Sequence, residues 1–330
     1  MKINFRSIEE QRPGPKWQDL FGQRWAGYRR WFLAEGDSAR PSYIECARNL
    51  RRHMPELMPT YECLADLAGG GDAAARFLSM YCPPPYLSAC TQAVWTGDEA
   101  VLVRNYDYGC QLLEGSIWNS AWNGQKVLAM SEGLWGVLDG MNESGLAVSL
   151  AFGGRLDVGE GFGIPLILRY ILEFCTDTPS AIAILQRVPV HMSYNVTLVD
   201  RAQRFSTVFV APDRAAVVRQ VPVATNHQGG IEWQQHALAT ATLEREHIAA
   251  SLLAGSGQSV EDLIAGFLQP PLYSTAFNRG FGTLYTAVYR VARGTVTFLW
   301  PGQSLDQSLD VFSETSLIRH YNLLDAGNFL

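Results

Sequence analysis

The chain has 330 residues and a mass of 36.6 kDa, room for one large domain or two ordinary ones with a sizeable core. Hydrophobic residues make up 47%, charged residues 18%, and the formal net charge is −6. This is a globular composition without the basic footprint of a nucleic-acid binder. No apolar run reaches the roughly 20 residues of a membrane span, and no apolar segment of a secretory signal is visible at the N-terminus, so the expectation is a cytoplasmic protein without membrane or nucleic-acid partners.

Helical spacing of apolar residues predicts helices over 19–34, 42–57, 60–67 and 72–80. Cys82-Pro83-Pro84-Pro85 must leave the helix, because proline lacks the amide proton and restricts its predecessor. The period then changes. Residues 91–95 and 100–104 read as strands joined by the turn Thr96-Gly97-Asp98, a hairpin. Further strands are expected at 134–138, 146–151, 196–199, 206–210, 215–219, 284–291 and 295–299, and helices at 165–174, 180–187, 234–253 and 259–268. Helices, strands, helices, strands is an α+β order with mostly antiparallel pairing. Residues 1–89 form a helical N-terminal segment with a net charge of +2, and residues 90–330 the remainder with −8.

Six cysteines (Cys46, Cys63, Cys82, Cys90, Cys110, Cys175) contain no CxxC pair, which argues against a disulfide framework or a zinc knuckle. Each is a small buried residue or a working thiol. The glycines of 159–163 depart from the dinucleotide fingerprint, and neither GxSxG nor HExxH occurs. Trp118, Trp122 and Trp135 are either core residues or the lining of an apolar pocket.

Cys90 stands at the junction of the helical segment and the first strand of the hairpin. Cleavage of Ala89–Cys90 would give this residue a free α-amino group, with a pKa near 8. That amine could act as general base for its own thiol.

Four motifs extend this reading. They are Cys90-Thr91 with Arg104-Asn105-Tyr106-Asp107, Asp139-Gly140-Met141-Asn142-Glu143-Ser144-Gly145-Leu146, Tyr194 to Asp200, and Thr225-Asn226-His227. In this order they resemble the cysteine N-terminal-nucleophile hydrolases, in the isopenicillin N acyltransferase-like branch, with choloylglycine hydrolases and penicillin V acylases as more distant relatives. The resemblance spans nearly the whole chain. It implies a four-layer αββα sandwich of antiparallel sheets. It also implies an inactive precursor that cuts itself at Ala89–Cys90 into a heterodimer, and a reaction on a small linear amide without metal or organic cofactor.

The roles implied are Cys90 as nucleophile and base, Asp107 holding the α-amino group, and Arg104 placing positive charge at the thiolate. Asn226 is implied as oxyanion donor, Asn195 as a second donor and Arg245 as the late arginine. Alone, Arg104 and Asp107 also read as a salt bridge at a strand end. Their spacing puts them on opposite faces of a regular strand, so joint action calls for a turn or bulge. Asn142 reads as a turn residue and His227 as structural.

Two departures stand out. Alanine precedes the nucleophile where the branch often has glycine, and Ala151 and Phe152 stand where the family carries a further asparagine. Acyl transfer to an amine is the rival within the enzymes. An unprocessed, catalytically silent binding protein and a papain-like Cys–His–Asn arrangement through His227 are the others. Homo-oligomerisation is left open.

Overall fold

Ile3, Phe5 and Ser7 point inward while Lys2 and Asn4 face solvent, and this alternation makes residues Lys2–Glu9 a strand, β1. The structure, a computed structural model, describes residues 1–321 apart from Ser256 and Gly280. The sequence leads one to expect a helical N-terminal segment; instead it opens with a strand whose third inward position is polar. Four helices follow, α1 (Pro15–Phe32), α2 (Tyr43–His53), α3 (Met58–Leu67) and α4 (Asp72–Leu78). Ser42 and Glu45 form a capping box that starts α2.

Six strands come next: β2 (Ala89–Thr96), β3 (Ala100–Tyr108), β4 (Ser116–Ser120), β5 (Val127–Glu132), β6 (Gly136–Asn142) and β7 (Leu146–Phe152). After α5 (Ile164–Phe174) and α6 (Thr178–Arg187) come β8 (Tyr194–Asp200), β9 (Phe205–Ala211), β10 (Arg214–Arg219) and the short β11 (Val223–Ala224). The helix expected over 234–253 is two, α7 (Gln234–Ala239) and α8 (Thr242–Ala254), interrupted at Ala241, whose φ is 48°. The chain closes with α9 (Val260–Phe267), β12 (Gly282–Arg290), β13 (Thr295–Trp300), β14 (Gln303–Ser308) and β15 (Ser316–His320).

The strands form two sheets. One has nine strands in the order β10-β9-β8-β7-β6-β5-β4-β1-β15, the other six in the order β11-β2-β3-β12-β13-β14. All pairs are antiparallel except β1 with β4, which is parallel. The sheets face each other through β2 and β3 against β7 and β8, α5 and α6 cover the large sheet, and α8 and α9 cover the small one. The expected αββα sandwich is thus present, with one parallel pairing in it.

Alternation along β2 and β3 sorts their side chains between two cores. Cys90, Val94, Leu102 and Tyr106 face the space between the sheets, whereas Ala93, Val101 and Val103 face α8 and α9. Among the described residues no helix is long and apolar enough to cross a membrane.

Candidate active site

Cys90 is the second residue of β2 and lies opposite Tyr106 of β3; Ala89 lies opposite Asp107, and Gln92 opposite Arg104. The β2–β3 register is regular throughout. The bulge expected after Arg104 is absent, and the register shift in this region falls between β3 and β12, at Thr283/Tyr285. Arg104 and Asp107 therefore do flank Cys90 from opposite faces of the sheet.

On the inter-sheet face, Arg104 Nη2 donates to Cys90 Sγ at 3.4 Å. Among the described residues Cys90 is the cysteine whose sulfur accepts from a guanidinium. The Arg104 head group is fixed by Leu150 O at 3.1 Å and by a fully buried ion pair with Asp139. Asp139 also accepts from Tyr285 and Tyr289, each at 2.6 Å. The guanidinium stacks over the Tyr106 ring, 4.6 Å from its centroid. Burial opposes the Arg104 charge, but Cys90, Tyr285 and Asp139 outweigh it and keep its pKa above the ordinary value. Burial also pushes the Cys90 thiol up, with Arg104 pulling the other way. The thiol is fully buried, with Ser88 Oγ 3.8 Å away.

On the helix face, Arg245 reaches in from the first turn of α8. Its Nη1 donates to Cys90 O and to Thr91 Oγ1, both at 2.7 Å, and its Nη2 to Asn226 Oδ1 at 2.6 Å. Asp107 lies 3.6 Å from Arg245 Nη1 and accepts from Thr283 Oγ1 at 2.7 Å. Burial raises the Asp107 pKa, opposed by Arg245 and the Thr283 hydrogen bond. Burial likewise lowers that of Arg245.

Asn226 lies just past β11. Its Oδ1 accepts from Cys90 N at 3.0 Å as well as from Arg245. Two donors on one oxygen fix the orientation of the amide. Its Nδ2 therefore points to Phe152 O at 3.0 Å and Ser88 O at 3.5 Å. Gly154 permits this approach: its φ is +72°, and a Cβ there would lie 2.2 Å from Asn226 O. Asn195 makes no hydrogen bond to Cys90. Its Nδ2 ties down the segment carrying Asn226, through Thr225 O at 2.8 Å and His227 O at 2.9 Å.

Cys90, Arg104, Asn226 and Arg245 thus come together directly, with Asp107 one contact away and Asn195 behind Asn226. The amide of Cys90 is held by Asn226 Oδ1, where the resemblance implied Asp107. His227 faces Thr242 and Thr225 through Nδ1 and Glu246 through Nε2, so the papain-like arrangement is not formed. The tryptophans lie in the core: Trp122 donates to Glu10 O and Trp135 to Leu78 O, each at 2.9 Å. The openings lie elsewhere. A cavity of about 270 Å³ is lined by Tyr28, Trp31, Tyr86, Tyr106 and Tyr108. A second of about 570 Å³ shares Trp31, Tyr86 and Tyr108 with it. Sequence reasoning missed Asp139 as the partner of Arg104, although it opens one of the four motifs. It also missed Tyr285 and Tyr289, which carry no local signal.

Two stacked sheets between helical layers, with a cysteine entering an inner strand, define the fold of the N-terminal-nucleophile hydrolases. A mutant of conjugated bile acid hydrolase from Clostridium perfringens superposes with a TM-score of 0.50 at 12% identity, over 71% of this chain and 97% of that one. Penicillin V acylase from Agrobacterium tumefaciens matches with a TM-score of 0.45 at 14% identity, over 67% and 86%. The N-acylethanolamine-hydrolyzing acid amidase ortholog of Caenorhabditis elegans matches with 0.47 at 15%, over 71% and 100%. At these identities the likeness concerns the fold. No curated protein matches the chain.

The family profile of acyl-coenzyme A:6-aminopenicillanic acid acyl-transferase matches residues 94–305, and the chain belongs to this family. The matched span includes Arg104, Asp107, Asn195, Asn226 and Arg245 but begins just beyond Cys90.

Proposed function

We propose that the protein is a self-processing enzyme that cuts linear amides through a Cys90 acyl-enzyme. The observation that carries this reading is the convergence on one residue: Arg104 on its sulfur, Asn226 on its nitrogen and Arg245 on its carbonyl. A merely structural cysteine needs none of these.

In processing, Cys90 Sγ attacks the Ala89 carbonyl, the Ala89–Cys90 amide becomes a thioester, and water releases the segment ending at Ala89. Cys90 is left with a free α-amine. In turnover this amine takes the thiol proton, and the thiolate attacks the substrate carbonyl. Asn226 Nδ2 donates to the oxyanion. The tetrahedral intermediate then expels the amine, which leaves with a proton from the α-ammonium group. Water, giving its proton to the freed α-amine, attacks the thioester, and the acid leaves as that proton returns to the sulfur. Asn226 Oδ1 holds the α-amine, Asp107 holds Arg245, which orients Asn226 and the Cys90 carbonyl, and Arg104 stabilises the thiolate. Residues 1–89 remain bound as the smaller partner of residues 90–330.

The intact mass of the denatured protein, compared with that of Cys90→Ala, tests the first step. Pieces of about 10 and 27 kDa are expected for the wild type, the larger beginning at Cys90, with the variant left whole. A wild type that stays whole and leaves amides intact would favour a silent binding protein. The family's acyl-transferase description favours a second reading, in which an amine rather than water takes the acyl group. Adding amine acceptors and identifying the acylated product separates the two.

A further inference from the structure

The cavity beside Tyr106 has a chemically distinct end. Glu114, in the loop before β4, and Glu132, at the end of β5, both line it and meet at Tyr28 of α1. Tyr28 Oη lies 2.9 Å from Glu114 Oε2 and 2.7 Å from Glu132 Oε1, and accepts from Gly133 N at 3.0 Å. A phenol has one proton to donate. It satisfies one carboxylate, so the other contact requires a proton on the carboxyl side. That proton falls to Glu132, whose pKa burial and then Glu114 hold up to about 8.

Their remaining oxygens have no partner. Glu114 is 2% exposed, yet its Oε1 is buried without a hydrogen bond, as is Glu132 Oε2. Buried acceptors left unpaired are costly, and both residues line the cavity, where an entering donor would satisfy them. The other walls are aromatic: Tyr28, Trp31, Tyr86, Tyr106 and Tyr108. Aromatic faces around an anionic end favour an organic cation over a neutral or anionic molecule. Arg24, the other charged side chain at this wall, donates to the Glu114 backbone carbonyl at 2.7 Å rather than to its carboxylate. Tyr106 and Tyr108 of β3 face the pair as neutral phenols, their ionisation suppressed by burial first and then by Glu132.

We propose that this cavity binds a primary ammonium group carried on an apolar body, held by the Glu114–Glu132 carboxyl pair. Resting on the amide-cleaving reading above, the proposal makes the substrate class amides that bear a protonated amine. Tyr106, opposite Cys90 in the β2–β3 ladder, is the wall residue that links the cavity to the strand pair carrying the nucleophile. Entry of the cation expels the Glu132 proton, so affinity rises with pH as that carboxyl ionises.

The test is calorimetric titration of the full chain with 2-phenylethylammonium and with its neutral counterpart 2-phenylethanol, at about pH 6 and about pH 8 and in two buffers of different ionisation enthalpy. The cation is expected to bind at least about tenfold more tightly than the alcohol, more tightly at the higher pH, and with proton release. Glu132→Gln should abolish the proton release and weaken the preference, and the double variant Glu114→Gln/Glu132→Gln should abolish the preference. Equal affinity for the two ligands, no binding of the cation, or a preference surviving in the double variant would overturn the site. If a variant does not fold, the wild-type comparison decides alone. Cys90→Ala should bind as the wild type does. A chain that is uncut and inert but still prefers the cation would refute the amide reading and keep the site. A chain that cuts itself and cleaves amides without that preference would do the reverse.

Discussion

Asp139 takes a guanidinium and two phenols on its two oxygens, and this is what aims Arg104 at the thiol. Replacing it by asparagine leaves Arg104 a buried charge with no counter-charge. Asp139→Asn should lower unfolding stability by about 3–5 kcal/mol and slow any processing. Tyr289→Phe removes one hydrogen bond to a carboxylate, should cost about 1.5–3 kcal/mol, and should leave processing intact. Urea titration and intact mass read both.

Glu132 shows the opposite economy of charge. Burial first, then Glu114, hold its pKa up to about 8, from an ordinary 4.5. The folded state keeps a proton that the unfolded state gives up, so stability should fall as pH rises from about 4.5 to about 8. In Glu132→Gln that slope should flatten, as urea midpoints across the range would show. At this scale the sequence is informative where chemistry demands a residue type. Cys90, Arg104, Asn226 and Arg245 are readable from it, and they do converge. The partners of Arg104 are not, because a contact between sheets leaves no local pattern.

Legibility does not track exposure: the wholly buried β7 and β8 are read from the sequence, and the more exposed β14 and β15 are not. The hairpin of β2 and β3, the helices α5 and α6 and the strands from β7 to β10 follow the expected spans within a few residues. β4 and β5 escape a reading of the sequence: they are short, with 5 and 6 residues, and, being covered on both faces, show no alternation to mark them. β1 escapes it because its third inward residue is Ser7. Asn142 reads as a turn residue, and its role is close to that. It ends β6 and clamps the turn and α5 together, donating to Leu172 O and Cys175 O and accepting from Leu146 N. Asn142→Ala should cost about 2–3 kcal/mol through the unpaired buried groups it leaves. It should not change turnover per folded molecule, since nothing joins it to Cys90. Thermal unfolding together with active-site titration would check this.

Across the whole molecule, the division at Ala89–Cys90 does not follow the layers. β1 lies between β4 and β15, with hydrogen-bonded ladders on both sides, and α1 carries Trp17, whose indole donates to Leu134 O at 3.0 Å. A chain beginning at Cys90 would open the large sheet between β4 and β15 and expose edges prone to pairing with other chains. It should aggregate when expressed alone and become soluble when residues 1–89 are supplied with it, as gel filtration would show. A free chain 90–330 that is monomeric and stable would sink this view.

The threading of β1 also gives the molecule an arrow in time. If the chain is cut at Ala89–Cys90 as proposed, the two parts find each other beforehand at the high effective concentration of a single chain. After the cut, reassembly is a second-order reaction between strangers, and one of them is an open sheet. Denatured precursor should regain its shape at any dilution, whereas denatured product should recover only in proportion to its concentration. A protein that cuts itself in this way folds once, and its useful life ends with its first complete unfolding.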